Sequence, residues 1–144
     1  MNLFDPVRNC FVPDLPEERV RQALILKMIH KLGYPQPFLA VEKELSSLPS
    51  LSFCPELLGR RADIICFRKD KAGRICPLLL MECKATLQDK SAESQVIGYN
   101  YYVRAPFVAV SGAEGEKMLW PDKKTRSYRS VDFLPSYSEL INSL

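Results

Sequence analysis

Arg61-Ala62-Asp63-Ile64-Ile65-Cys66-Phe67-Arg68, the polar stretch Lys69-Asp70-Lys71-Ala72-Gly73-Arg74, and then Ile75 to Ala85, closing on Leu80-Met81-Glu82-Cys83-Lys84-Ala85, decide the fold of this chain. Two apolar runs joined by a short polar segment containing glycine predict a β-hairpin over Arg61–Arg68 and Ile75–Ala85. With the turn centred between Ala72 and Gly73, residues equidistant from that midpoint oppose one another. Asp63 then faces Glu82, and Arg61 faces Lys84. Alternation places all four on one side of the sheet, with each facing pair about 5 Å apart between Cβ atoms. A one-residue bulge would break this register.

Working outward, Pro16 opens a helix that Gly33 and Pro35 close, with Asp14 as its expected cap and Glu17 and Glu18 in the first turn, where the helix dipole favours anions. Val20, Leu24, Met28 and Leu32 form its apolar stripe. Phe38 to Leu45 alternates as a strand does, and Ser46 to Pro55 is a Ser/Pro-rich loop. Beyond the hairpin, Ser91 to Val103 predicts a second helix, and Phe107 to Val110 a strand buried on both faces. Short strands at Met118–Trp120 and Arg126–Tyr128, a Pro121–Lys124 turn and a terminal helix from Ser136 complete the chain. The order αβββαβ predicts an α/β domain with a mixed central sheet flanked by helices. One domain over 1–144 is expected, with a core of about 13–120 and an appendage over 121–144.

Composition agrees. The 144 residues suit a single domain, and 47% hydrophobic residues suffice for a core without disulfides. The formal charge of +3 excludes neither nucleic acid nor other partners. Five cysteines without a CxxC motif argue against a disulfide scaffold, and His30, the single histidine, excludes zinc sites built on paired histidines. No apolar run is long enough to span a bilayer, and the N-terminus carries no basic segment followed by an apolar one, so no membrane association and a cytoplasmic location are expected.

The facing pairs carry like charges, which is unfavourable between directly opposed residues. One reading is a structural quartet joined along its diagonals, Asp63 with Lys84 and Arg61 with Glu82. The other is that Asp63 and Glu82 are held together for a divalent cation. Hard oxygen donors select Mg²⁺ or Mn²⁺, and an adjacent lysine suits metal-assisted phosphodiester hydrolysis. The cation reading predicts that Asp63→Asn leaves metal-free stability unchanged or higher; the quartet reading predicts a loss.

Asp63 followed by Glu82-Cys83-Lys84 at the end of an apolar strand resembles the PD-(D/E)xK nuclease superfamily, and Gln95 with Tyr99 resembles its QxxxY element. Pro16 to Gln22, Val41-Glu42-Lys43-Glu44, Arg61-Ala62-Asp63-Ile64, Leu80 to Ala85 and Gln95 to Asn100 are similar to the N-terminal nuclease region of type I restriction enzyme R subunits. Ala62 stands where a proline is common, and Ser111-Gly112 where relatives often have a Thr-Asn-Gly-like turn. The resemblance implies a restriction-endonuclease-like core, with Asp63, Glu82 and the main-chain carbonyl of Cys83 as metal ligands. Lys84 would orient or activate the attacking water, and Gln95 and Tyr99 would steady Lys84 or touch the nucleic-acid backbone. Glu18 is a candidate for support from the first helix and Arg61 for a phosphate contact; a helix N-terminal anion and a carboxylate's partner are their plainer readings.

The expectation is a divalent-metal-dependent nuclease, an endonuclease acting on DNA in restriction or repair, with specificity coming from restriction or repair partner subunits or from DNA structure. The sequence contains no GxxxxGK[ST], so it carries no ATP-driven motor of that type. The alternative is a non-catalytic nucleic-acid-binding or assembly module on a nuclease fold.

Overall fold

A computed structural model describes all 144 residues. A short hairpin, β1 (Asn2–Asp5) and β2 (Cys10–Pro13), precedes helix α1 (Pro16–His30). Then come β3 (Leu39–Glu44), β4 (Arg61–Lys69), β5 (Ile75–Cys83), α2 (Ser91–Val103), β6 (Phe107–Gly112), β7 (Gly115–Pro121), β8 (Tyr128–Val131) and α3 (Tyr137–Asn142). The last six strands make one sheet in the order β3-β4-β5-β6-β7-β8. Only β5 and β6 run parallel, and α2 makes the crossover between them. The α/β architecture with a mixed central sheet and flanking helices is as the sequence predicts.

The burial pattern of β5 explains the layering. Leu78 to Cys83 are all buried, because both faces of this strand are covered. Leu79, Met81 and Cys83 join Leu24, Ile25 and Met28 of α1 in one core, while Leu80 packs with Ala92 and Val96 of α2 in the other. The chain beyond Trp120 shares these layers: β8 pairs with β7, and Leu134 and Leu140 are buried in the α1-side core.

The hairpin keeps the expected register where it meets the site, through two offsetting departures. Its turn is centred on Ala72, since Lys69 opposes Ile75, and the Asp70 carboxylate accepts the amides of Ala72 and Arg74, both at 2.9 Å. A bulge between Cys66 and Phe67 then leaves Leu78 as the extra residue on β5 and brings Ile64 opposite Met81. Pro77, which has no N–H for a ladder, sits beside this bulge.

Other boundaries move for local reasons. Asp14 does not cap α1; the N-cap is Leu15 without a side-chain bond, and Asp14 instead pairs with Arg19. The strand expected from Phe38 begins at Leu39, because Gln36–Phe38 forms a 3₁₀ turn. The strand expected over Arg126–Tyr128 is displaced to Tyr128–Val131, because the preceding turn extends to Ser127, whose carbonyl accepts the Asp122 amide at 2.7 Å. The hairpin β1–β2 was not expected from sequence at all. Ser136 does begin the last helix, through a reciprocal capping box with Glu139.

Candidate active site

The β4–β5 ladder stops at Ile64 and Met81, and there the Asp63 side chain replaces the backbone: its Oδ2 accepts the Cys83 amide at 2.7 Å. The strands separate at the point where Asp63 and Glu82 meet. Glu82 is only 4% exposed, makes no salt bridge, and its Oε1 is buried without a hydrogen-bond partner. Burial first, and then the adjoining Asp63 carboxylate, push the Glu82 carboxyl well above its ordinary value; nearby Lys84 opposes this weakly. An orphaned buried carboxyl oxygen beside a second carboxylate is costly unless something cationic or protic meets it.

The diagonal quartet does not form. Arg61 is exposed, lies opposite Glu44 of β3 and makes no ion pair, and Lys84 makes none either. The base that reaches Asp63 comes from α1: Arg21 Nη1 donates to Asp63 Oδ1 at 3.0 Å and to Glu42 Oε1 at 2.8 Å. Arg21 Nε donates to Glu18 Oε2 at 2.6 Å, so one guanidinium gathers three carboxylates. Burial alone would weaken its charge; the hydrogen bonds it donates to Glu42 and Glu18 outweigh that and raise its pKa. Glu18 is therefore a buried member of this network, also bound by Arg8, and more than a helix N-terminal anion. Glu42 takes part from a left-handed backbone conformation, φ +57°, uncommon for a residue with a Cβ.

Arg21, Glu42 and Arg8 were not singled out from the sequence. The spacing of Glu18 and Arg21, i and i+3 on one helix, was the available signal for one link. Glu42 stands in the Val41-Glu42-Lys43-Glu44 stretch that carries the resemblance, and nothing local announces Arg8.

Lys84 follows the last residue of β5, and its amide donates to the Ser111 carbonyl at 2.9 Å. It lines a cleft of about 350 Å³ with Thr86, Lys90, Ser111, Glu114 and Lys117. The segment after Lys84 is strapped to the β6–β7 turn: Glu114 accepts the Leu87 amide at 2.8 Å and the Thr86 hydroxyl. Gly112 permits this approach, since a Cβ there would stand 2.4 Å from the Leu87 nitrogen. On α2, Gln95 Nε2 donates to the Tyr99 hydroxyl at 2.9 Å, as i, i+4 neighbours do, and neither is hydrogen-bonded to Lys84.

The donors suit a hard divalent cation. No third His, Cys, Asp or Glu side chain completes a cluster of three, so the protein's contribution would be the two carboxylates with a main-chain oxygen. Asp63 spends one hydrogen bond on each oxygen, of roughly four acceptor positions. Glu82 Oε1 spends none.

The molecule is thus an α/β domain whose central strands bring half-buried Asp63 beside buried Glu82, with Lys84 just beyond. The chain belongs to the family described as the type I restriction enzyme R protein N terminus, whose model matches residues 16–135. No curated protein and no solved structure matches it. Membership gives the chain a restriction-system, nuclease-related context, in which partner subunits and DNA interaction are implied in general terms. The matched span runs from α1 past β8 and leaves out the N-terminal hairpin and α3. No helix is long and apolar enough to cross a membrane.

Proposed function

We propose that the chain is a divalent-metal-dependent nuclease of the PD-(D/E)xK type, an endonuclease hydrolysing phosphodiester bonds of DNA within a restriction system. The observation that carries this reading is the partnerless Glu82 Oε1, buried against Asp63 and one residue removed from Lys84. Asp63, Glu82 and the Cys83 carbonyl would hold Mg²⁺ or Mn²⁺, which when bound supplies Lewis-acid stabilisation of phosphoryl charge and an acidified water. Asp63 is presented by two fixed donors, the Cys83 amide and Arg21, so its carboxylate is oriented before anything binds. Glu82 gives up its proton when it takes on that role. Lys84 is free of ion pairs, so its ammonium is available to orient water and offset charge developing on the phosphate. Gln95 and Tyr99 fix each other on the α2 face and are assigned to contacts with the nucleic-acid backbone.

Incubating the protein with supercoiled plasmid and with single-stranded DNA, each with Mg²⁺, Mn²⁺ or chelator, tests the proposal. Metal-dependent cleavage that Glu82→Ala abolishes is expected. DNA binding with no cleavage under any of these conditions would refute catalysis in favour of a binding or assembly module.

A further inference from the structure

The acid–base network does not end at Arg21. Arg8, in the turn of the N-terminal hairpin, donates from Nη2 to Glu18 Oε1 at 2.7 Å, while Arg21 holds the other oxygen of the same carboxylate. Arg8 is itself anchored by Asp5, a fully buried carboxylate that accepts Arg8 Nε at 2.7 Å and the amides of Val7 and Arg8. Gln22 Nε2 adds a fourth donor at 2.9 Å and ties the hairpin to α1. An unbroken chain of charged contacts therefore runs from Asp5 through Arg8, Glu18 and Arg21 to Asp63 and the Cys83 amide.

The charge balance along this chain gives Arg8 its role. Arg21 faces Glu18, Glu42 and Asp63 and cannot neutralise all three. Glu18 is the most buried of them and, without a second base, has the strongest claim on the guanidinium. Arg8 satisfies that claim and leaves Nη1 of Arg21 for Glu42 and Asp63.

We propose that Arg8 is a positioning residue of the candidate site: by neutralising Glu18 it frees Arg21 to hold Asp63, so that the N-terminal hairpin, outside the span matched to the family, sets the geometry of the carboxylate pair. The proposal rests on the nuclease reading for the importance of Asp63, but the contact itself exists without metal and is tested without it.

The measurement is amide hydrogen exchange of the metal-free protein by NMR. The rate at Cys83, whose N–H is held by Asp63, is read against that at Leu80 in the interior of the same strand. In Arg8→Met, exchange at Cys83 should accelerate about tenfold beyond any change at Leu80, because loosening confined to one contact does not spread along the strand. Adding Glu18→Gln to Arg8→Met removes the competing charge, and the Cys83 rate should return to within about twofold of wild type. A hairpin that merely supports the fold would alter both amides together, and Glu18→Gln would not repair it. An unchanged Cys83-to-Leu80 ratio in Arg8→Met, or a loss that the double variant retains, overturns the proposal. Should Arg8→Met fail to fold, the double variant decides: wild-type Cys83 protection upholds the proposal and lost protection overturns it. Calorimetry with MnCl₂ alone separates this from the parent reading. A wild type that takes up no Mn²⁺ refutes the metal site, while Cys83 still decides the role of Arg8.

Discussion

Glu82→Gln should make the metal-free protein more stable, by an amount that grows with pH. Glu82 is 4% exposed, its Oε1 has no partner, and burial together with the Asp63 carboxylate raises its carboxyl above the ordinary 4.5. The sign follows from linkage. Above pH 4.5 the unfolded chain releases the Glu82 proton while the folded chain keeps it, so the unfolded state binds fewer protons and stability declines as pH rises. The stability associated with this group is complete below 4.5 and is lost progressively toward the raised folded value. A single proton gives a slope of about 1.4 kcal/mol per pH unit, so from pH 5 to pH 7 wild type should lose about 2 to 3 kcal/mol relative to Glu82→Gln. At 4% exposure little solvent screening reduces this. Urea denaturation of both proteins at pH 5, 6, 7 and 8, with chelator present, reads the difference directly. Adding Mn²⁺ should narrow the gap at pH 7 and above, because the ion favours the ionised carboxyl in wild type alone. Stability curves that stay parallel across this pH range would show Glu82 ionised normally in the folded protein, and would refute the reasoning from burial and the carboxylate pair.

Asp63→Asn should lower metal-free stability by about 1 to 2 kcal/mol at pH 7, since it weakens bonds to Arg21 and the Cys83 amide while Glu82, still protonated, has little repulsion to relieve. This reverses the sequence expectation for a cation site, and thermal melts with chelator check it. Lys84→Ala should reduce cleavage by about 100-fold or more while calorimetric Mn²⁺ affinity stays near wild type, because this residue is assigned to the water and the phosphate and not to the ion. Tyr99→Phe removes one neutral, half-buried hydrogen bond from Gln95 and should cost about 1 kcal/mol or less, with a larger fall in cleavage; loss of activity only in proportion to stability would make that face structural.

Much of the architecture was legible because it rests on local periodicity. The starts of both hairpin strands, the interval between the Val103 end of the second helix and Phe107, and the start of the last helix at Ser136 all act over a few residues, and each appears where the sequence places it, whereas the second hairpin strand, expected to reach Ala85, ends at Cys83. The hairpin also brought Asp63 and Glu82 together on paper. Yet its true turn centre and the Leu78 bulge differ from the simple construction and happen to cancel, so that pairing was legible only at the end nearest the site. The β1–β2 hairpin escaped because four-residue strands carry too little alternation to stand out.

The sequence by itself determined the central strands β3 to β6 and which acidic and basic residues lie at their ends, since side-chain alternation and turn chemistry are properties of neighbouring residues. The tertiary structure alone decided how those charges are satisfied. Asp63 finds its base 42 positions away in Arg21, and Glu18 finds a second one in the hairpin turn. Glu82 becomes a buried carboxyl with an orphaned oxygen because two helices cover the strand that carries it. Desolvation and ion pairing depend on what packs against a group from distant parts of the chain, and no spacing within a strand or helix encodes that.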